Sequence, residues 1–237
     1  MDHKNSVEFQ VHGRYALFSD PITRVGGEKC TYQIPTYQAI KGILESVYWK
    51  PTFVWVIDKM RIMNPIRTQS KGIRPIKMNG GNDLSIYTYL SDVRYQVMAH
   101  FEWNENRPEL AHDRNENKHW DIAKRSIERG GRRDIFLGTR ECQGYVEPDT
   151  FGDGDGAYDT LDELAFGVML HSISYPDESK AGTLETLLWQ PAMRRGVVEF
   201  VRPCECKIRR ELDTREYKVF TVGQNLRSVD DEAVDVL

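Results

Sequence analysis

Apolar residues recur along this chain with two different periods, and the switches between them lay out its elements. Val7, Phe9 and Val11 alternate with polar residues and predict a first strand, followed by a loop opened by Gly13 and the Ser19, Asp20, Pro21 cluster. Thr36 can cap a helix in which Ile40, Ile43, Leu44 and Val47 recur at helical spacing, and Pro51 ends it near Tyr48 and Trp49. The apolar, β-branched run from Phe53 to Ile57 reads as a buried strand. Val93, Tyr95, Val97, Ala99, Phe101 and Trp103 alternate without a break and predict another. Helical spacing returns with Trp120, Ala123 and Ile127, with Asn117 expected as N-cap and Gly130 as the stop, and a last strand lies within Phe136 to Val146.

Strand, helix, strand, strand, helix, strand is the order of an α+β, ferredoxin-like domain, the fold that also underlies the RNA-recognition module. Between its second and third strands, Pro65, Gly72, Pro75, Gly80 and Gly81 punctuate a segment that suits an inserted hairpin. Three further apolar segments, Leu164 to Leu170, Leu184 to Trp189 and Val197 to Val201, have no helix between them and predict a small antiparallel sheet. The expected division is a ferredoxin-like domain over 1–147, a small β-sheet domain over 148–212, and a polar, acidic-ended tail over 213–237.

Composition adds less than the distribution of charge. The 237 residues suffice for one or two cores; no run of eighteen apolar residues exists, and MDHKNSVEF lacks signal-peptide character, so a cytoplasmic protein without a membrane segment is expected. The formal charge of -4 argues against nucleic acid until the chain is divided. Before Tyr145 there are 22 Lys and Arg against 17 Asp and Glu; from Tyr145 onward there are 10 against 19. The basic module is concentrated further. Lys59 to Asn82 holds Lys59, Arg61, Arg67, Lys71, Arg74 and Lys77 with no acid, which suits phosphate contact.

The candidate chemistry lies in NENKHWDIAKRSIERGG, Asn115 to Gly131. Lys118 and His119 fall on the first turn of the predicted helix, where free N–H groups and the positive dipole end favour a phosphate. They add one fixed charge and one titratable proton carrier. Metal-free RNA cleavage needs a base for the ribose 2′ proton, a cation for the phosphorane and an acid for the leaving oxygen, and His, Lys and Tyr can supply these. Tyr48 ends the first helix. In a ferredoxin-like fold, that end can approach the start of the second helix. Taken singly, a Lys-His pair is in most proteins a solvated helix end, and Tyr48 continues a packing stripe. Arg129, Arg132, Arg133 and Arg140, with Gly130, Gly131 and Gly138, form a second basic cluster suited to RNA phosphates.

No metal or cofactor is expected. Cys30, Cys142, Cys204 and Cys206 lack a paired zinc framework and read as reduced thiols; Asp153, Asp155 and Asp159 miss the calcium-loop spacing. His12, His100, His112 and His171 read as structural or surface residues.

Nearly the whole chain resembles a known family. VEFQVHGRYALFSDP, IPTYQAIKGILESVYWKP, GGNDLSIYTYL, NENKHW, GGRRDIFLGTRECQGYVEP and FVRP are similar to the Cas-five proteins of CRISPR type I-C systems, the d variant or Dvulg subtype. The resemblance implies an endoribonuclease that cuts the repeat hairpin of the CRISPR transcript without metal, leaving a 2′,3′-cyclic phosphate and a 5′ hydroxyl. It then holds the 5′ handle of the crRNA within the interference complex, beside the backbone and large subunits. The family's catalytic Tyr and Lys-His pair carry over to Tyr48, Lys118 and His119, with Lys71, Arg74, Lys77, Arg129, Arg132, Arg133 and Arg140 as expected RNA contacts. The alternative is a non-catalytic subunit that grips RNA with the same surfaces. The basic module also permits non-specific double-stranded DNA, although no recognition-helix pattern supports it.

Overall fold

The computed structural model describes residues 4–175 and 183–213, so the acidic end of the chain lies outside the described residues. The elements of the first part are β1 (Val7–Ala16), α1 (Tyr37–Val47), β2 (Phe53–Ile62), β3 (Thr68–Ile73), β4 (Ser85–Trp103), α2 (Glu116–Glu128), β5 (Ile135–Phe136) and β6 (Gln143–Pro148). Four of these strands pair in the order β6-β1-β4-β2, every pairing antiparallel. The alternation read from the sequence is the alternation of burial in β1, whereas in β4 the polar Gln96 and His100 between the apolar positions are buried as well. Val7, Phe9 and Val11 of β1, Trp55 and Ile57 of β2 and Val97, Ala99 and Phe101 of β4 are buried together in one core with Ile40, Ile43, Leu44 and Val47 of α1 and Ala123 and Ile127 of α2. The molecule is thus α+β, with mostly antiparallel sheet and two α-helices among the described residues.

β4 is far longer than its apolar run. Its first residues, Ser85 to Leu90, pair with β3, and those before Tyr89 lie outside the buried core, so the inserted basic segment is a hairpin built on the end of a central strand. Asp92, within β4, has a φ of 54°, in the left-handed region.

The later strands are β7 (Leu164–Ala165), β8 (Met169–Ser174), β9 (Leu184–Trp189), β10 (Ala192–Arg194), β11 (Val197–Glu199) and β12 (Ile208–Asp213). They do not pair as the three expected segments. β11 joins β2 of the main sheet and continues it through β10 to β7, whereas β8, β9 and β12 form a separate three-stranded sheet. The Leu164 to Leu170 alternation is divided between the two sheets, with Gly167 at φ of 73° where the chain turns.

Asp149 to Asp159 is a packed structural loop. The buried Arg61 guanidinium donates to Asp159 at 2.7 Å, to the Asp153 and Gly154 carbonyls at 3.1 and 2.9 Å, and to Gln96 at 3.1 Å. A fork of five donors needs this many acceptors once it is out of water. One cation of the basic run is therefore committed to the fold.

Candidate active site

Two helix ends build the site. Thr36 caps α1, its side chain accepting the Ala39 N–H at 3.1 Å, and the helix stops at Tyr48, whose backbone is extended. The Trp55 indole donates to the Tyr48 carbonyl at 2.7 Å and fixes that residue against β2. At the other end, Asn115 caps α2 by accepting the Lys118 N–H at 3.1 Å. The cap lies two residues before the expected Asn117, because the helix opens with the polar residues Glu116 and Asn117 that apolar periodicity cannot register. Lys118 and His119 still occupy the first turn.

The two ends meet. Tyr48 Oη lies 2.7 Å from His119 Nδ1, and both residues are 1% exposed. His119 Nε2 lies 2.8 Å from the Asp113 main-chain carbonyl. A carbonyl only accepts, so Nε2 carries a proton, and in the neutral ring Nδ1 accepts from the Tyr48 hydroxyl. Phe53, Phe101 and Trp103 meet the imidazole at ring centroid distances of 5.2, 6.2 and 5.8 Å. Lys118 reaches the same place by another route, its Nζ 3.1 Å from Asp113 Oδ1.

Charge is arranged around the imidazole. Hydrogen bonds from Lys118 and then Thr52 hold the Asp113 carboxyl below the usual carboxylate range, so it is an anion at neutral pH; its Oδ2 lies 3.6 Å from His119 Nε2. Burial raises the Tyr48 phenol above its ordinary value, against the opposing pull of Arg132, and keeps it a proton donor. The Arg132 guanidinium stands 4.7 Å over the Tyr48 ring.

The remaining cations fall into two groups. Arg132 and Arg133 adjoin the site: both are exposed, and the Arg133 N–H donates to Ser46 near the end of α1. Arg129 is the exposed C-cap of α2, and Arg140 is exposed, its guanidinium 6.0 Å from the Phe136 ring centroid. Lys71, Arg74 and Lys77 belong to the distant hairpin. Lys71 pairs with Tyr87, fourteen residues along β4 from Phe101, on the order of 40 Å of extended strand. Its Nζ sits 3.2 Å from the Tyr15 ring centroid and lowers the phenol pKa. Arg74 is exposed, and Lys77 pairs with Asp83 at 3.5 Å. The structure brings Tyr48, Lys118, His119 and Arg132 together and leaves the hairpin cations apart.

Asp113 and Thr52 were not legible. Asp113 ends the 3-10 turn Pro108–Asp113, and the buried Thr52 hydroxyl donates to its Oδ2 at 2.9 Å. The Arg114 guanidinium, bonded to Glu105 and to the Asn104 carbonyl, braces the turn. The available signal was an Asp five residues before Lys118, at the mouth of a helix where a carboxylate is ordinarily read as a cap.

Residues 6–201 match the family described as CRISPR-associated protein (Cas_Cas5), which sets the class of the molecule. Two relatives bear the name CRISPR pre-crRNA endoribonuclease Cas5d. That of Mannheimia succiniciproducens is 33% identical over 106 residues, 40% of this chain and 46% of its own, so this match spans about half the relative's length. That of Thermus thermophilus is 27% identical over 182 residues, 73% of this chain and 75% of its own. A crystal structure of a CRISPR-associated protein superposes with a TM-score of 0.72 at 34% identity, and a functionally uncharacterized protein from Streptococcus mutans with 0.73 at 38%. Each covers 86% of this chain and 96% of the other. The chain belongs to the Cas5d family. Among its described residues no helix is long and apolar enough to cross a membrane.

Proposed function

We propose that this chain is a pre-crRNA endoribonuclease that cuts CRISPR repeat transcripts at the repeat hairpin without a metal ion and then holds the 5′ handle of the crRNA in a type I-C interference complex. The antiparallel order β6-β1-β4-β2, with a helix crossing from β1 to β2 and another from β4 to β6, supports a ferredoxin-like frame for residues 1–147. The observation that carries the reading is the 2.7 Å contact between Tyr48 and His119 at the meeting of two helix ends.

The ribose 2′ hydroxyl gives its proton to His119 Nδ1, directly once the Tyr48 hydroxyl has turned aside or through that hydroxyl. The 2′ oxygen bonds to phosphorus, the bond from phosphorus to the 5′ oxygen breaks, and the 5′ oxygen takes a proton from the Tyr48 hydroxyl, which recovers one from the protonated His119 Nδ1. The products are a 2′,3′-cyclic phosphate and a 5′ hydroxyl. Lys118 leaves Asp113 to stabilise the phosphorane. Asp113 and Thr52 orient the imidazole and do not touch substrate. Arg129, Arg132, Arg133 and Arg140 hold the RNA backbone beside the site, and Lys71, Arg74 and Lys77 engage it at a distance. The remaining faces meet the backbone and large subunits of the complex, and the basic module tolerates non-specific double-stranded DNA.

A second reading, a non-catalytic subunit that only holds RNA, is favoured by one feature: the His119 ring is 1% exposed with both nitrogens engaged. Incubating the purified chain with its own repeat RNA in chelator, and identifying the product ends, decides between the two. Cyclic phosphate and 5′ hydroxyl ends support the endoribonuclease; a requirement for magnesium, or intact RNA, supports the holding subunit.

A further inference from the structure

Two sizeable cavities flank α1, and their charge separates them. The larger, about 700 Å³, lies toward the three-stranded sheet and mixes Glu45, Glu102 and Glu185 with Lys41, Arg107, Arg202 and Arg209, so three carboxylates stand among its cations. The smaller, about 540 Å³, is lined among the described residues by no Asp or Glu. Its floor is the face of α1 carrying Gly42 and Ser46, Phe136 and Ile173 stand on its walls, and Arg24 and Lys29 supply its charge.

This groove ends close to the proposed active site along the chain. Its floor spans Thr36 to Ser46, about 15 Å of helix, and Ser46 lies two residues before Tyr48. The Ser46 carbonyl accepts the N–H of Arg133, and the neighbouring Arg132 covers the Tyr48 ring. Cations therefore stand at both ends: Arg132 and Arg133 by the reactive pair, Arg24 and Lys29 at the far end. Between them lie a partly exposed aromatic edge at Phe136 and hydroxyls at Ser46 and Thr139. A cleft of one sign of charge with an aromatic wall is suited to a phosphate backbone with unpaired bases.

We infer that the groove along α1 binds the single-stranded RNA that adjoins the scissile phosphate, with Arg24 and Lys29 as phosphate contacts. The inference rests on the endoribonuclease reading. It assigns the strand a direction of travel, from Tyr48 along α1 toward Arg24 and Lys29 and so toward the β3–β4 hairpin, where Lys29 Nζ stands 5.0 Å from the Tyr87 ring centroid and the Lys29 carbonyl accepts the Thr88 N–H.

The test uses the full chain and its repeat RNA. A Cβ at Gly42 meets nothing within 4 Å, and Glu is a better helix former than Gly, so Gly42→Glu places bulk and negative charge on the groove floor without loss of folding. It should weaken RNA binding at least tenfold, whereas Gly42→Ala should not. Arg24→Glu with Lys29→Glu should weaken binding similarly and reduce the slope of log affinity against log salt by about two, one for each lost phosphate contact. Lys124→Glu, a reversal on the other helix, should have little effect. Unchanged affinity in both groove variants, or an equal loss from Lys124→Glu, overturns the proposal. So does retained RNA affinity with loss of binding to other subunits, which would make the occupant a protein. The endoribonuclease reading fails separately: wild-type chain that leaves repeat RNA intact refutes it, and wild-type cleavage beside indifferent groove variants removes only the groove.

Discussion

His119 and His171 are two buried imidazoles with the same hydrogen-bonding scheme. Each has Nε2 2.8 Å from a main-chain carbonyl, Asp113 for one and Val201 for the other, and each has Nδ1 facing a hydroxyl, Tyr48 at 2.7 Å or Ser172 at 2.9 Å. They differ in the charges around them. His119 has the Asp113 carboxylate at 3.6 Å, Lys118 on the far side of that carboxylate, and Arg132 over its phenol partner. His171 lies against Tyr37 and Trp189, with ring centroids at 4.5 and 5.3 Å, and desolvation pushes its pKa down to about 4. Burial and satisfied hydrogen bonds therefore do not mark a catalytic histidine. A neighbouring acid, an exposed cation and a phenol at Nδ1 set His119 apart, and the proposed mechanism uses all three.

The contrast sharpens most at the groups that only His119 possesses. Tyr48→Phe and Lys118→Ala should each slow single-turnover cleavage about a hundredfold or more at saturating RNA. His171→Phe, which keeps a ring among Tyr37, Trp189 and Phe200, should leave the rate of the folded protein unchanged. Equal losses in the two regions would erase the distinction.

The next largest effect belongs to stability. The His171 pKa is about 4 folded against an ordinary 6.5, so between those values the unfolded chain binds the extra proton. Its contribution is complete above about pH 6.5 and lost as pH falls through 4, to a limit of about 3 kcal/mol. Denaturant titrations at pH 7 and pH 4.5 should show this fall in the wild type and a smaller one in His171→Phe. An identical pH dependence in both would mean that His171 is not desolvated as described.

The smallest effect tests Asp113. Asp113→Asn retains the carbonyl that holds Nε2 but releases Lys118, so cleavage should slow only about tenfold, with RNA affinity unchanged or slightly higher. Asp113→Ala, which also frees the Thr52 hydroxyl, should cost more than Asn. If both match the wild type in single-turnover rate, Asp113 has no positioning role.

Much of the main sheet was legible because the apolar positions of its strands share one core. The alternation at Val7, Phe9 and Val11 is the burial pattern of β1 and the α1 stripe is the core contact of that helix, whereas the alternation from Val93 to Trp103 concealed Gln96 and His100, which are buried between its apolar positions. Chain order allowed Tyr48 to approach the start of α2, and the 2.7 Å contact with His119 realises that approach. The strands after Leu164 were less legible: β7, β10 and β11 are two or three residues long, and their sheet is chosen by β2, more than a hundred residues earlier, which no local period records. The same limit concealed Arg61. In sequence it stands in a run of cations; in space it closes the Asp153 to Asp159 loop from within. Asp113 was hidden because its partners Thr52 and Lys118 come from separate elements.

The most direct test is a parallel measurement of RNA binding and single-turnover cleavage, in chelator, for the wild type, His119→Ala and His171→Ala. The expected result is loss of cleavage by at least a thousandfold in His119→Ala with RNA affinity retained, and a wild-type rate per folded molecule in His171→Ala. Cleavage that survives in His119→Ala, or disappears together with binding, would contradict the assignment of proton transfer to His119.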